Sequence, residues 1–365
     1  MKIEIVILLV ATCYTCGFIM ILLKVKSEFS SDSIIDTDTN IVPKFSIIIA
    51  AKNESENIKE LISALKKIDY PDDNYEAVVV DDNSTDNTIE IAAELSSNID
   101  NIYVVKAVDK TYSGKRGALD YGISLAKHPN ILITDADCIP NKNWLRYCAL
   151  KVYNGCDFYF GITPFFQRNK IVNKISCYEN FLNSMLAISA VELKFPYTAS
   201  ARNLGIAKNA YNKIGGYSKT LETISGDDDL LLREAVINNL KICILTHPDS
   251  FVYSETKNTF KEYFSQRARH TQTSFYYPKK QKLLLTLWHL MNIVFVLSPL
   301  LLIVNNLFIL PFLLKFFLDA TKTILYQKKF GYNFKLYEVF YLQILYEFFI
   351  VVHFFRALFG KIEWK

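Results

Sequence analysis

Two acidic clusters and two basic ones are the residues of this chain best suited to chemistry. Thr134-Asp-Ala-Asp137 closes an apolar run. Neighbouring side chains of an extended strand alternate between faces, so a turn directly after the strand is needed to fold Asp135 and Asp137 around one site. Two carboxylates placed that way suit a hard divalent cation, which takes oxygen ligands and can bridge them to a diphosphate. Taken alone, the tripeptide also fits an exposed turn. Ser225-Gly-Asp-Asp-Asp229 precedes Leu230-Leu-Leu-Arg233 and opens an amphipathic helix. Asp suits a helix N-terminus, which accounts for one or two of the three. Three in a row exceed that need, and their repulsion raises the pKa of at least one, as a general base requires. Ser113-Gly-Lys-Arg-Gly117 is a glycine-flanked basic turn, fit to hold phosphate through Lys115 and backbone amides or to be a solvated loop. Gln266-Arg-Ala-Arg269 lies just before an apolar run and reads equally as its basic flank.

These clusters need a scaffold, and the pattern around them supplies one. Phe45–Ala50, Glu76–Asp81, Ile102–Lys106 and Ile131–Thr134 are short, β-branched buried-strand runs. Between the first two lies a helical pattern of Ile58, Leu61, Ile62 and Leu65, and after the second one of Ile89, Ile91, Ala92 and Leu95. Such alternation predicts an α/β fold, a mostly parallel sheet with helices on both faces. Ligands of these sheets bind at the carboxyl ends of the strands. There the chain places Glu54, Asp81, Asp82, Asp135 and Asp137, a rim that favours a cation or a hydroxyl-rich ligand over a bare anion. No G-x-G-x-x-G follows the first strand and no Walker A motif occurs, so dinucleotide and P-loop readings lack support.

Composition adds the membrane. Hydrophobic residues make up 51% and charged residues 21% of the chain, which excludes a disordered protein. The charge balance of 41 basic to 37 acidic residues gives no sign of nucleic-acid binding. Ile5–Leu23 is an uncharged run long enough for a transmembrane helix, without the small-residue site that would follow a cleaved signal peptide. Leu283–Val304 is a second such run. After a turn at Asn305-Asn306, Leu307–Leu318 is a short partner, and Leu336–Phe355 is either a span or a helix lying in the interface. Lys24 and Lys26 follow the first run; Arg267, Arg269, Lys279, Lys280 and Lys282 precede the second. The positive-inside rule makes both flanks cytoplasmic. The expected organisation is an N-terminal helix over 1–25, a linker over 26–43, a cytosolic domain over 44–280 and a C-terminal membrane region of two to three helices over 281–365. The seven cysteines are scattered and imply no disulfide framework; they read as small hydrophobes.

Taken in order, F-S-I-I-I-A-A-K-N-E, V-V-V-D-D-N-S-T-D-N-T, G-K-R-G-A-L, T-D-A-D, G-D-D-D-L and Q-R-A-R-H are more specific than any one of them. The set, over about residues 44–280, resembles the inverting family-2 glycosyltransferases of the GT-A fold in their membrane-embedded branch. That branch includes cellulose, hyaluronan and poly-N-acetylglucosamine synthases and enzymes acting on lipid acceptors. The resemblance implies that Ala51 and Glu54 line the nucleotide pocket and that Asp82 contacts the base or ribose. It implies that Lys115 faces the diphosphate and that Asp135 and Asp137 hold Mg2+ or Mn2+, Asp137 the more directly. Asp227 would be the catalytic base, and Gln266, Arg267 and Arg269 would lie near the leaving diphosphate. On the acceptor side it implies Arg202, Asn203, Asp228 and His270. Two positions depart from the family pattern: Gly226 stands where the residue before the base is Glu, and His270 where the last motif closes with Trp. The missing Trp and the few C-terminal helices argue for adding one or a few sugars rather than extruding a polymer. The expected partners are a nucleotide-sugar donor, a lipid or glycan acceptor and the lipids of a bacterial inner membrane, with no nucleic acid. A nucleotidyl- or phosphotransferase on a similar sheet, a membrane scaffold or subunit that binds a sugar nucleotide without turnover, and a processive polysaccharide synthase are the competing readings.

Overall fold

The computed structural model describes residues 3–31, 42–223 and 225–360. The chain begins with α1 (Ile3–Ser31), β1 (Phe45–Ala51), α2 (Ile58–Leu65), β2 (Tyr75–Asp81), α3 (Thr88–Ser96), β3 (Ile102–Lys106) and α4 (Gly114–Leu125). It continues with β4 (Asn130–Asp135), β5 (Cys138–Pro140), α5 (Trp144–Tyr153), β6 (Phe158–Gly161), α6 (Ile171–Glu192), β7 (Leu204–Ala207) and α7 (Lys208–Ile214). It ends with α8 (Asp227–Ile237), β8 (Ile242–Leu245), β9 (Val252–Ser254), α9 (Phe260–Ser274), α10 (Lys279–Leu297), α11 (Ile309–Tyr326) and α12 (Leu336–Phe359). Contacts divide these elements into two units. One is Phe29–Phe166 with Pro196–Glu255; the other is Met1–Glu28, Gln167–Phe195 and Thr256–Lys365.

The first unit is built on a seven-stranded sheet of order β3-β2-β1-β4-β7-β6-β8. β1 pairs in parallel with β2 and β4, β2 with β3, and β6 with β8, while β7 runs antiparallel to both β4 and β6. The mostly parallel α/β sheet expected from the sequence is therefore present, with one reversed strand. β1 and β2 are apolar along almost their whole length because helices cover both faces. Ile58, Leu61, Ile62 and Leu65 of α2 are buried, as their spacing predicts. They pack with Ile47, Ile49, Val79 and Trp144 in one core cluster. Each fully buried aliphatic side chain of this kind contributes about 1.5–3 kcal/mol.

Two sequence expectations give way here. Ser113–Gly117 is not a loop but the entry and first turn of α4, where a Cβ on Gly117 would fall 1.8 Å from the Tyr112 carbonyl oxygen. Cys156 and Cys243 are not separate thiols: their sulfurs are bonded, with Cα atoms 6.0 Å apart. The β6–β8 register sets Cys243 opposite Tyr159, close to Cys156, a proximity that cysteine spacing does not reveal.

The second unit holds α1, α6 and α9 to α12. Among the described residues, three helical segments are long and apolar enough to cross a membrane: Glu4–Phe29, Lys279–Leu301 and Leu336–Phe359. α1 continues to Ser31, into the stretch expected as linker, because S-E-F-S-S contains no helix breaker; residues 32–41 of that stretch lie outside the described residues. Tyr14 of α1 stacks on Trp288 of α10 and donates to Asn292 Oδ1 at 2.9 Å. The expected turn at Asn305 is present, the Asn305 side chain accepting from the Leu307 amide at 2.8 Å.

Candidate active site

Parallel pairing aligns the carboxyl ends of three strands. Ala51 sits opposite Asp81, and Ala50 opposite Asp135. Ala51 is buried, and its carbonyl oxygen accepts the Asp82 amide at 2.8 Å. Glu54 follows on the loop, its amide donating to Thr88 Oγ1 at 2.8 Å and its carboxylate accepting from Asn57 at 2.6 Å. Asp81 points into its own turn, accepting the Ser84 amide at 3.3 Å. Asp82 is ion-paired with Lys110, a partner the sequence did not suggest.

Asp135 ends β4, and the two-residue turn before β5 does what the alternation rule demanded. Ligand atoms of Asp135, Asp137 and Cys138 lie within 4.8 Å of one another. Two carboxylates on this turn suit a hard cation such as Mg2+ or Mn2+. Burial, then Asp137 and Asp135, push the Cys138 thiol well up, so its sulfur stays protonated and a poor ligand. The donor set on this turn fits a divalent metal through its oxygens.

The first turn of α4 carries the cations. Lys115 Nζ lies 2.7 Å from Asp135 Oδ1 and 3.2 Å from Asp227 Oδ2, so one ammonium joins the D-x-D turn to the acidic cluster. Burial opposes its charge, but Asp135 and Asp227 outweigh burial and hold the ammonium above its usual pKa. Arg116 was not anticipated. Its guanidinium donates to the carbonyls of Thr223 and Ser225, the latter at 2.6 Å, and fastens the segment leading into α8. Gly226, immediately before α8, sits at φ +79°, a conformation that suits glycine.

The three aspartates of α8 have separate surroundings. Asp227 is buried; burial raises its pKa, but Lys115 and then Arg116 pull it below the usual carboxylate range. Asp228 is the residue whose pKa rises, to about 8, through burial and then the charges of Asp229 and Asp227. The sequence argument for one raised carboxyl thus lands on Asp228 rather than on Asp227. Asp228 accepts the Ala201 and Asp229 amides, each at 2.9 Å. Asp229 accepts Thr198 Oγ1 at 2.9 Å and the Ala199 amide at 3.0 Å. Together they clasp the 198–201 loop to the start of α8.

Arg202 follows that loop. Its carbonyl accepts Thr134 Oγ1 at 2.8 Å, its guanidinium donates to Ser254 and lies 4.5 Å from the Phe165 ring centroid. Asn203 is 1% exposed, with its amide between Trp144 Nε1 at 2.8 Å and the Ser250 carbonyl at 2.9 Å. Those bonds use Asn203 in packing the sheet and leave it turned away from solvent.

The remaining motif residues stand on α9, in the other unit. Gln266, Arg267 and Arg269 are half-buried and His270 is exposed. Arg267 Nε lies 2.9 Å from Glu179 of α6, and Tyr263 OH donates to the same carboxylate at 2.8 Å.

Comparison with known proteins decides what this arrangement belongs to. Glycosyl transferase family 2 matches residues 46–208, and Glycosyl transferase family group 2 matches residues 130–350, more than half of the chain. The chain is a family-2 glycosyltransferase. The family-2 glycosyltransferase is 31% identical over 208 residues to a beta-monoglucosyldiacylglycerol synthase of Nostoc sp., covering 53% of this chain and 41% of that enzyme. It is 29% identical over 114 residues to a poly-beta-1,6-N-acetyl-D-glucosamine synthase of Staphylococcus epidermidis, covering 31% and 26% of the two chains. The glycosyltransferase spans about half the length of the curated relatives it matches first. Its fold matches that of a mannosyltransferase of Pyrobaculum calidifontis, solved with GDP-Man and Mn2+, at TM-score 0.63 and 17% identity over 96% of this chain and 99% of that one.

Proposed function

We propose that this enzyme moves a sugar from a nucleotide-sugar, most simply a UDP-sugar, to a hydroxyl of a lipid or glycan acceptor at the cytoplasmic leaflet of a bacterial inner membrane. The observation that carries the reading is the ammonium of Lys115, 2.7 Å from the D-x-D turn and 3.2 Å from Asp227. One cation thus joins the place where a leaving diphosphate would gather to the carboxylate that would take the proton.

The chain's own residues then have definite parts. Ala51, Glu54 and Asp82 line the nucleotide side of the rim. Asp135 and Asp137 would hold a divalent cation, which when bound supplies positive charge to the leaving diphosphate. An arriving diphosphate competes with both carboxylates for Lys115; as the ammonium turns toward phosphate, Asp227 loses the charge that depresses its pKa and becomes a stronger base. Asp227 Oδ2 then accepts the proton of the acceptor hydroxyl. The hydroxyl oxygen bonds to the anomeric carbon as the carbon–phosphate oxygen bond breaks, and the nucleoside diphosphate leaves with the electron pair. Attack opposite the leaving group inverts the anomeric centre. Arg116 and the Asp228 and Asp229 clasp keep α8 in place. Arg202 is on the acceptor side of this reading; Asn203 is a packing residue. Within its own unit, Arg267 fixes α9 to Glu179.

The basic flanks of α1 and α10 support a cytoplasmic catalytic segment over 44–280. The diacylglycerol named in the Nostoc relative supports a lipid acceptor. His270 in place of Trp supports transfer of one or a few sugars. The test incubates detergent-purified protein with UDP- and GDP-sugars, Mg2+ or Mn2+ and membrane lipid extract, and resolves products by chromatography and mass spectrometry. A lipid gaining one or two hexoses from a single donor is expected. A long water-soluble polymer would overturn the non-processive reading, and no product with any donor would overturn the reading itself.

A further inference from the structure

α12 has the length and apolarity of a membrane span. Two of its neighbours, α6 and α9, do not. Near its start, Glu338 pairs with Lys174 of α6 at 2.7 Å. At its middle, Tyr346 OH donates to Asn183 of α6 at 3.4 Å. Toward its end, His353 Nε2 lies 3.2 Å from Tyr263 OH of α9, and Phe354 packs edge-on against Phe275. From residue 338 to residue 354 is about 24 Å of helix axis. α6 and α9 thus accompany α12 along most of its length, and the Glu179 carboxylate joins α6 to α9 in turn.

α9 cannot lie in hydrocarbon. It carries Lys261, Glu262, Gln266, Arg267, Arg269, His270 and Gln272 within one fifteen-residue helix, and each charge at bilayer depth costs about 2.5–3.5 kcal/mol. A helix that meets α6 near its start and α9 near its end, while those two are tied together, has no end free to reach the far side. α12 also meets α11, where Phe340 packs on Phe316 at 4.7 Å between centroids and Glu347 pairs with Lys315 at 3.1 Å.

The opposite face of α12 is bare. Tyr337, Ile344, Phe348, Phe355 and Phe359 are exposed at spacings of four or seven, while Glu338, Gln343, Glu347 and His353 are buried. Exposed Lys328, Lys329 and Lys335 precede this stripe, and Arg356 stands near its end. An aromatic stripe with flanking cations on a helix that lies flat fits the boundary between headgroups and acyl chains, with the cations toward anionic phosphates. The same unit holds the apolar helices α1 and α10.

We propose that α12 does not cross the membrane but lies in the interface, its Phe-rich stripe sunk into the leaflet on the side of α6 and α9. The proposal rests on α1 and α10 being spans and does not depend on catalysis. It is tested on the full chain in sealed, oriented membrane vesicles by a membrane-impermeant maleimide on single-cysteine variants, with the unsubstituted protein as background. Lys335→Cys and Arg356→Cys, which flank the stripe, are expected to label from the same side as Lys52→Cys, and Asn306→Cys from the other. A fluorophore on Phe348→Cys is expected to be quenched by lipids brominated near the glycerol more than by lipids brominated at the chain ends. Labelling of Arg356→Cys from the far side only would overturn the proposal, as would a fluorophore untouched by either lipid. Labelling of Asn306→Cys from the Lys52 side would instead remove the premise that α10 crosses, and the proposal with it.

Discussion

Replacing Lys115 with Met probes the shared ammonium while keeping side-chain length. The variant loses two effects. The first is charge on the diphosphate: a hydrogen bond to a charged group is worth about 1.5–3 kcal/mol. At 1.4 kcal/mol per tenfold, kcat/KM is expected to fall roughly tenfold to a hundredfold. With the Lys115 side chain only 22% exposed, solvent screening reduces this little. The second effect is on Asp227, whose pKa is held below the usual range by Lys115 first among its charges. Its base form in the wild type therefore persists as pH falls through the ordinary carboxylate range. Without Lys115 its pKa rises, and the acid limb of kcat/KM against pH moves up. The assay follows nucleoside diphosphate release at saturating metal from pH 4.5 to 8.5. An unmoved acid limb with kcat/KM within threefold of wild type would refute the shared-ammonium argument.

The clasp, the raised carboxyl and the packing amide give three further tests. Asp229→Ala removes the acceptor of Thr198 Oγ1 and the Ala199 amide, so kcat is expected to fall about tenfold, one charge-assisted bond's worth, with donor affinity kept; an unchanged kcat would separate the clasp from catalysis. Asp228, raised to about 8, binds its proton more tightly folded than unfolded, so its contribution is greatest at low pH and is lost as pH rises from its ordinary carboxylate value toward 8. Asp228→Asn should therefore gain thermal stability relative to wild type between pH 5 and pH 8, and a constant difference would contradict the assignment. Asn203→Ala leaves Trp144 Nε1 and the Ser250 carbonyl without partners, at about 1–3 kcal/mol each. A lowered melting temperature with turnover per folded molecule retained is expected, whereas normal stability with lost acceptor use would return Asn203 to the acceptor site.

The ordered motifs made the sheet, its rim and the D-x-D turn legible, because strand runs and turn residues are local signals. The sheet's reversed strand was not, since Leu204–Ala207 gives no sign of direction and is fixed by pairing with both β4 and β6. Pairings across long separations were equally hidden. Arg116 and Lys110 are ordinary basic residues until folding brings them to Ser225 and Asp82. Asn203 was placed on the acceptor side only by the family resemblance, and residue types could not show that it is buried beside Trp144. Repulsion among three aspartates was sound physics applied without their neighbours: Lys115 settles on Asp227 and leaves Asp228 to carry the proton.

The most direct test of the central claim pairs turnover with binding in one variant. Asp227→Asn keeps the shape of the site and removes the base. Nucleoside diphosphate release with the donor that the wild type uses is expected to fall by about a hundredfold to ten-thousandfold, while donor affinity by calorimetry stays within threefold. Turnover near the wild-type rate would contradict the assignment of Asp227, and with it the mechanism built on the ammonium it shares with Asp135.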